Sequence, residues 1–197
     1  MDGIKVYTDG SSLGNPGPGA WAALVFCGKI PIKLVGGELN TTNNRMEMQA
    51  AISALQYVQK HCAGQAVSLH SDSKLLIDTI TKGWKRKKNL DLWDELDTLL
   101  AEIKVEWIKV KGHSNNQWNN ECDRLAVQEA EKIQKDFTIP IKKQTAEFFC
   151  RNCRLEIRGK LSWMEKAKLV RVDCEYCGKF VKFAKKTKEN LERAKRI

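Results

Sequence analysis

The chain has 197 residues, 42% of them hydrophobic, and a formal net charge of +10. That is enough apolar material for one substantial core with a small second domain, while the longest apolar run, Ala20 to Cys27, is far too short to span a bilayer. Seven cysteines behind an opening Met1-Asp2-Gly3 without a signal-peptide pattern point to reduced thiols or bound metal, and hence to a cytoplasmic protein; a monomer with no membrane partner is expected.

The charge is unevenly placed. Residues 1–141 hold 17 basic and 17 acidic side chains, and residues 142–197 hold the other 17 basic against 7 acidic. Attraction to a polyanion is therefore concentrated in the last third of the chain.

In chain order, Ile4 to Asp9 reads as a strand, with Asp9 at its end because Gly10 to Gly19 reads as turn or loop. Ala20–Phe26 and Ile30–Leu39 follow as strands around a Gly28-Lys29 turn, and three strands joined so closely pair antiparallel. Asn40 to Asn44 is a run of capping residues before a helix over Arg45–Cys62, whose Met48, Ile52, Leu55 and Val58 share one face. Glu47 falls in the first turn of that helix. Ala66–Ser71 is a fourth strand ending at Asp72, followed by a helix carrying Leu75, Leu76, Thr79 and Ile80. After the basic loop Lys85-Arg86-Lys87-Lys88, a third helix is marked by Leu92, Leu96, Leu99, Leu100 and Ile103, and a fifth strand by Val105, Trp107, Ile108 and Val110. A loop bearing His113 then leads to a helix containing Asp123. The order βββαβααβα is that of an α/β mixed sheet, three antiparallel strands and then parallel ones fed by helices.

Asp9, Glu47, Asp72 and Asp123 thus stand at comparable places, at strand ends or opening helix turns. Carboxylates that converge need a cation, and hard oxygen ligands suit Mg²⁺ or Mn²⁺.

Thr8-Asp9-Gly10-Ser11 with Gly14-Asn15-Pro16-Gly17-Pro18-Gly19, Thr41-Thr42-Asn43-Asn44-Arg45-Met46-Glu47, Ser71-Asp72-Ser73, Trp107 to His113 and Asn119 to Leu125 together resemble type 1 ribonuclease H. The resemblance covers residues 1–135. It implies a five-stranded RNase H-like sheet and hydrolysis of the RNA strand of an RNA·DNA hybrid. Two Mg²⁺ or Mn²⁺ ions would be held by Asp9, Glu47, Asp72 and Asp123, giving 5′-phosphate and 3′-hydroxyl ends. It further implies that His113 assists proton transfer or product release. Gly10, Ser11, Asn15, Asn43 and Asn44 match hybrid-contacting positions, and Thr42 matches one near a DNA-strand phosphate. Many family members carry a basic helical protrusion after the third carboxylate; here only Trp84 to Asn89 fills that space, and Lys85, Arg86, Lys87 and Lys88 keep some phosphate contact.

The remaining third departs from the usual family. The expected division is a catalytic domain over 1–136, a linker over 137–146, a zinc-ribbon-like domain over 147–184 and a basic tail over 185–197. Cys150-Arg-Asn-Cys153 and Cys174-Glu-Tyr-Cys177 are separated by 20 residues, a pattern for one structural Zn²⁺ held by four thiolates. A stretch this short folds poorly without such a staple. Cys27, Cys62 and Cys122 are scattered and read as thiols without chemistry. Basic residues interleave with Phe148, Phe149, Trp163, Tyr176, Phe180 and Phe183, a mixture suited to phosphate contact and base stacking, with half or more of the rings forming the domain's own small core. The module would supply affinity for hybrid or double-stranded nucleic acid. The competing reading is a hybrid-binding or partner-docking protein with little nuclease activity.

Overall fold

The computed structural model describes residues 3–112, 116–138, 148–152, 155–157, 159–164, 168–174, 178–185 and 187–195. His113, Cys153, Tyr176 and Cys177 lie outside the described residues, as do 139–146 of the expected linker and residue 147 of the expected zinc-ribbon-like domain. The chain divides into two compact units, Met1–Ile133 and Gln134–Ile197.

The first unit is built on strands β1 (Ile4–Ser12), β2 (Gly17–Phe26), β3 (Ile32–Thr41), β4 (Val67–Ser71) and β5 (Val105–Lys109). They form one sheet in the order β3-β2-β1-β4-β5, with β1 paired antiparallel to β2 and parallel to β4, and β4 parallel to β5. Helices α1 (Asn43–His61), α2 (Lys74–Lys82), α3 (Leu90–Leu100) and α4 (Gln117–Thr138) complete the unit, so the sequence-derived order stands.

Alternation along the strands sends side chains to both faces. Ile4, Val6, Ala23 and Val25 join α1's Met48, Ile52, Leu55 and Val58, with Leu92, Trp93, Leu96 and Leu99 of α3, in the main core. All four residues expected on the buried face of α1 are there, and Ala50, Ala51 and Ala54 between them keep the helix close to the sheet. On the other face Ala22 and Leu24 meet Cys122 and Ala126 of α4.

Three sequence expectations change. The Gly10–Gly19 stretch is mostly strand: Gly10, Ser11 and Ser12 pair with Trp21, Ala20 and Gly19, leaving the turn to residues 13–16, where the Asn15–Pro16 bond is cis. Asp9 therefore sits inside β1. Helix α1 starts two residues early because Thr42 is its cap, accepting the Arg45 N–H at 3.4 Å. Glu47 is then in the second turn, Asp123 is the seventh residue of α4, and neither has an N-terminal dipole role. Finally, Cys27 and Cys62 are joined in a disulfide closing 35 residues, because the end of β2 and the C-cap of α1 meet at one end of the sheet.

The second unit holds a hairpin of β6 (Phe148–Cys150) and β7 (Leu155–Ile157), and an antiparallel sheet β10-β9-β8 from β8 (Lys160–Met164), β9 (Leu169–Asp173) and β10 (Phe180–Ala184). The expected basic tail contains a helix, α5 (Lys188–Lys195), started by Thr187, whose hydroxyl accepts the Asn190 N–H at 3.2 Å. Ala194 and Leu191 pack on Leu161, Val170 and Val172. Leu191 and Ala194 form the apolar stripe that fastens the helix to the sheet.

Candidate active site

One open cleft of about 450 Å³ collects Asp9, Glu47, Asp72 and Asp123. Four separate elements deliver them: central strand β1, helix α1, the turn after β4, and helix α4. Gly10, Ser11, Asn43 and Asn44 line the same cleft.

Asp9 is only 7% exposed, and its Oδ1 accepts the Gly10 N–H at 2.7 Å. Burial foremost, then the charge of Asp72, with smaller contributions from Asp123 and Glu47, pushes its carboxyl up to about 8, against the pull of the Gly10 N–H. Glu47 is raised as well, by burial first. The Ser73 hydroxyl and the Asn43 side-chain amide, the latter at 2.9 Å, donate to its two oxygens and moderate the rise. Asp72 accepts from Asn119 Nδ2 at 3.4 Å.

This set of carboxylates, with Asp9 buried and the others half-buried around it, fits a divalent cation, whose charge would remove the penalty of holding Asp9 and Glu47 ionised. Among the described residues no three His, Cys, Asp or Glu side chains are drawn together as a ready cage for a metal ion. The cleft is an open one.

Two residues of this site had no role assigned from sequence. Ser73 is the N-cap of α2, accepting the Leu76 N–H at 3.3 Å, and the same hydroxyl donates to Glu47. Asn119 is 1% exposed, and its Oδ1 has no hydrogen-bond partner among the described residues. The available signal was its place four residues before Asp123, on the same helical face. The loop toward His113 arrives beside this cluster: a Cβ on Gly112 would lie 2.6 Å from Asp72 Oδ2.

The other expected nucleic-acid contacts fall in a neighbouring cleft of about 420 Å³, lined by Asn15, Thr42, Asn44, Lys85, Arg86, Lys87 and Lys88 among others. Asn44 borders both clefts. Arg86 is already engaged there, paired with Asp97 through both guanidinium nitrogens and lying 4.6 Å over the Trp93 ring.

The RNase H family model matches residues 1–131, which contain the whole carboxylate cleft. The chain belongs to the RNase H family. It is 42% identical over 149 residues to the ribonuclease H of Acetivibrio thermocellus, covering 68% of this chain and 99% of that one. It is 43% identical over 147 residues to the ribonuclease H of Caldanaerobacter subterraneus subsp. tengcongensis, covering 68% and 94%. Among solved structures it resembles the N-terminal RNase H domain of rv2228c from Mycobacterium tuberculosis, with a TM-score of 0.58, 25% identity, and coverage of 68% of this chain and 97% of that one. It shares the fold of LC11-RNase H1, solved in complex with an RNA/DNA hybrid, with a TM-score of 0.58, 22% identity, and coverage of 66% and 97%. The chain is accordingly an enzyme of the ribonuclease H type, and the RNase H match ends close to the boundary of its first unit.

In the second unit, Cys150 and Cys174 come together with Ile157 in one buried cluster. After Cys174 the chain doubles back: the Gly178 N–H donates to the Cys174 carbonyl and the Cys174 N–H to the Lys179 carbonyl, both at 2.8 Å. Gly178 adopts φ +66°, which a glycine takes without strain.

Proposed function

We propose that this enzyme is an endoribonuclease that hydrolyses the RNA strand of RNA·DNA hybrids, leaving 5′-phosphate and 3′-hydroxyl ends. The convergence of Asp9, Glu47, Asp72 and Asp123 on one open, polar cleft carries the reading. These four would hold two Mg²⁺ or Mn²⁺ ions, which when bound would lower the pKa of an attacking water and neutralise charge on the leaving 3′ oxygen. The chain's own residues prepare that setting. Ser73 and Asn43 fix both oxygens of Glu47, and Asn119 steadies Asp72. Ser11, Asn43 and Asn44 place a hydroxyl and two amides on the cleft wall, where a 2′-hydroxyl can be read by hydrogen bonding. Asn15, Thr42, Lys85, Lys87 and Lys88 border the adjoining cleft, suited to the phosphates of the partner strand. His113, following Gly112 at Asp72, is assigned proton transfer or product release.

The second unit is read as a nucleic-acid handle stapled by one Zn²⁺ on Cys150, Cys153, Cys174 and Cys177. The pairing of Cys150 with Cys174 and the glycine turn after Cys174 support it. Its excess of basic side chains would concentrate substrate near the catalytic unit.

The deciding experiment is cleavage of a labelled RNA·DNA hybrid in Mg²⁺ and in Mn²⁺ by wild type and Asp9→Asn, with single- and double-stranded RNA as controls. Hybrid-only cleavage that disappears in the variant is expected. Hybrid binding with no cleavage in either metal would replace this reading with a binding platform. Metal analysis should find one zinc per chain, and its absence would remove the staple.

A further inference from the structure

The β8–β9–β10 sheet has one face under α5 and one open. Leu161, Val170 and Val172 point to the helix, so the residues alternating with them point away. Register sets Ser162, Arg171 and Phe183 in one row across the open face, and Lys160, Asp173 and Phe180 in the next. Met164 and Leu169 pair beside them.

This face is unusually apolar for a surface. Phe180 is 47% and Phe183 48% exposed, with Met164 and Leu169 at 37% and 39%. The two phenyl rings are in contact, with centroids 4.9 Å apart and planes tilted by 55°. The Arg171 guanidinium lies 5.3 Å over the Phe180 ring and is held by Asp173, with Nε 2.8 Å from Oδ1. Core needs do not explain the rings, since Leu161, Val170, Val172 and Ala194 already fill the space beneath the helix.

Around the patch Lys160, Lys168, Lys179 and Lys185 are exposed, in the third of the chain that carries its net positive charge. Cationic surroundings select a polyanion, and two accessible rings with a planar guanidinium select flat partners. Paired bases are stacked inside a duplex and offer no such faces. We propose that the open face of this sheet is a stacking platform for the unpaired bases of single-stranded nucleic acid, with Phe180, Phe183 and Arg171 beneath the bases and the surrounding lysines on the phosphates. The inference rests on the reading of the second unit as a nucleic-acid handle and specifies what that handle grips.

The test is fluorescence anisotropy of the full chain with labelled oligothymidylate and with blunt duplex DNA of equal length. Three proteins are compared: wild type, Phe180→Ala/Phe183→Ala, and Phe180→Tyr/Phe183→Tyr. The alanine pair should weaken oligothymidylate binding roughly tenfold or more while duplex binding changes by less than about twofold, and the tyrosine pair should bind like wild type. Unchanged oligothymidylate binding by the alanine pair, or equal losses on both DNAs, would overturn the platform. A wild type that grips duplex but not oligothymidylate would remove the platform and leave the handle. One that binds neither would remove both and leave hybrid cleavage to be judged separately.

Discussion

A Cβ built on Gly10 would lie 2.9 Å from the Cα of Glu47 and 2.5 Å from the carbonyl carbon of Met46, so β1 and the start of α1 meet backbone against backbone. The contact brings a residue next to Asp9 against the residue that carries the second carboxylate. Absence of a side chain at position 10 is a packing requirement of the cleft, besides any contact with substrate.

Gly10→Ala should therefore push α1 off β1. Overpacking of this kind costs about 1–3 kcal/mol, and here it also separates two members of the carboxylate set. The urea midpoint should fall and hybrid cleavage should be impaired; full activity with unchanged stability would mean that the helix adjusts freely.

Asp9→Asn should act oppositely on activity and stability. Cleavage should fall by at least about a hundredfold, since one of the four metal-binding carboxylates is removed. In metal-free buffer at neutral pH the variant should melt a few degrees higher than wild type: burial and the facing Asp72, Asp123 and Glu47 raise the Asp9 carboxyl to about 8, so wild type must take up a proton there to fold, and the amide need not. Added Mg²⁺ should then raise the melting temperature of wild type more than that of the variant. A variant less stable than wild type without metal would contradict the repulsion.

Arg45 binds Asp91 through both guanidinium nitrogens, at 3.0 and 2.7 Å, tying α1 to α3. The Arg45 hydrogen bonds hold Asp91 below the usual carboxylate range. A depressed folded pKa stabilises the fold above the unfolded value and loses that contribution as pH falls through the folded one. Asp91→Asn should thus be less stable than wild type at neutral pH, by no more than about 1 kcal/mol for so exposed a pair. The gap should close below about pH 4; a gap that persists there would point to packing instead.

Removing the Cys27–Cys62 link by Cys27→Ser with Cys62→Ser should cost roughly 3–4 kcal/mol for a loop of 35 residues. Thermal unfolding with and without reductant checks it. The two proteins should converge once wild type is reduced, and hybrid cleavage at moderate temperature should be unchanged in both.

Much of the catalytic unit was legible because its signals are periodic or local. The stripe Met48, Ile52, Leu55 and Val58 needs only helical spacing, and all four side chains are buried. The carboxylates were found individually, and their convergence follows from the order of elements. Strand limits were less legible: glycines and serines at positions 10–12 look like a turn, yet sheet pairing with residues 19–21 holds them extended. The Cys27–Cys62 bond depends on where a strand end and a helix end meet, which no local pattern states. Ser73 and Asn119 escaped assignment because each also has an ordinary helical explanation. Lys185 to Ile197 reads as a frayed basic helix, and what the sequence does not state is that Leu191 and Ala194 dock it on the sheet.

Parallel pairing of β1 with β4 puts Ile4 beside Val67 at one end of the sheet and Thr8 beside Ser71 at the other, where the carboxylates gather. Gly28 and Gly64 belong to the far end, and a side chain placed on either would meet nothing within 4 Å. The catalytic unit therefore has a working end and a far end away from the carboxylates. A dye, an affinity peptide or a bead tether attached at Gly28 would leave the carboxylate cleft clear, whereas Gly64, at φ +80°, would strain under any side chain.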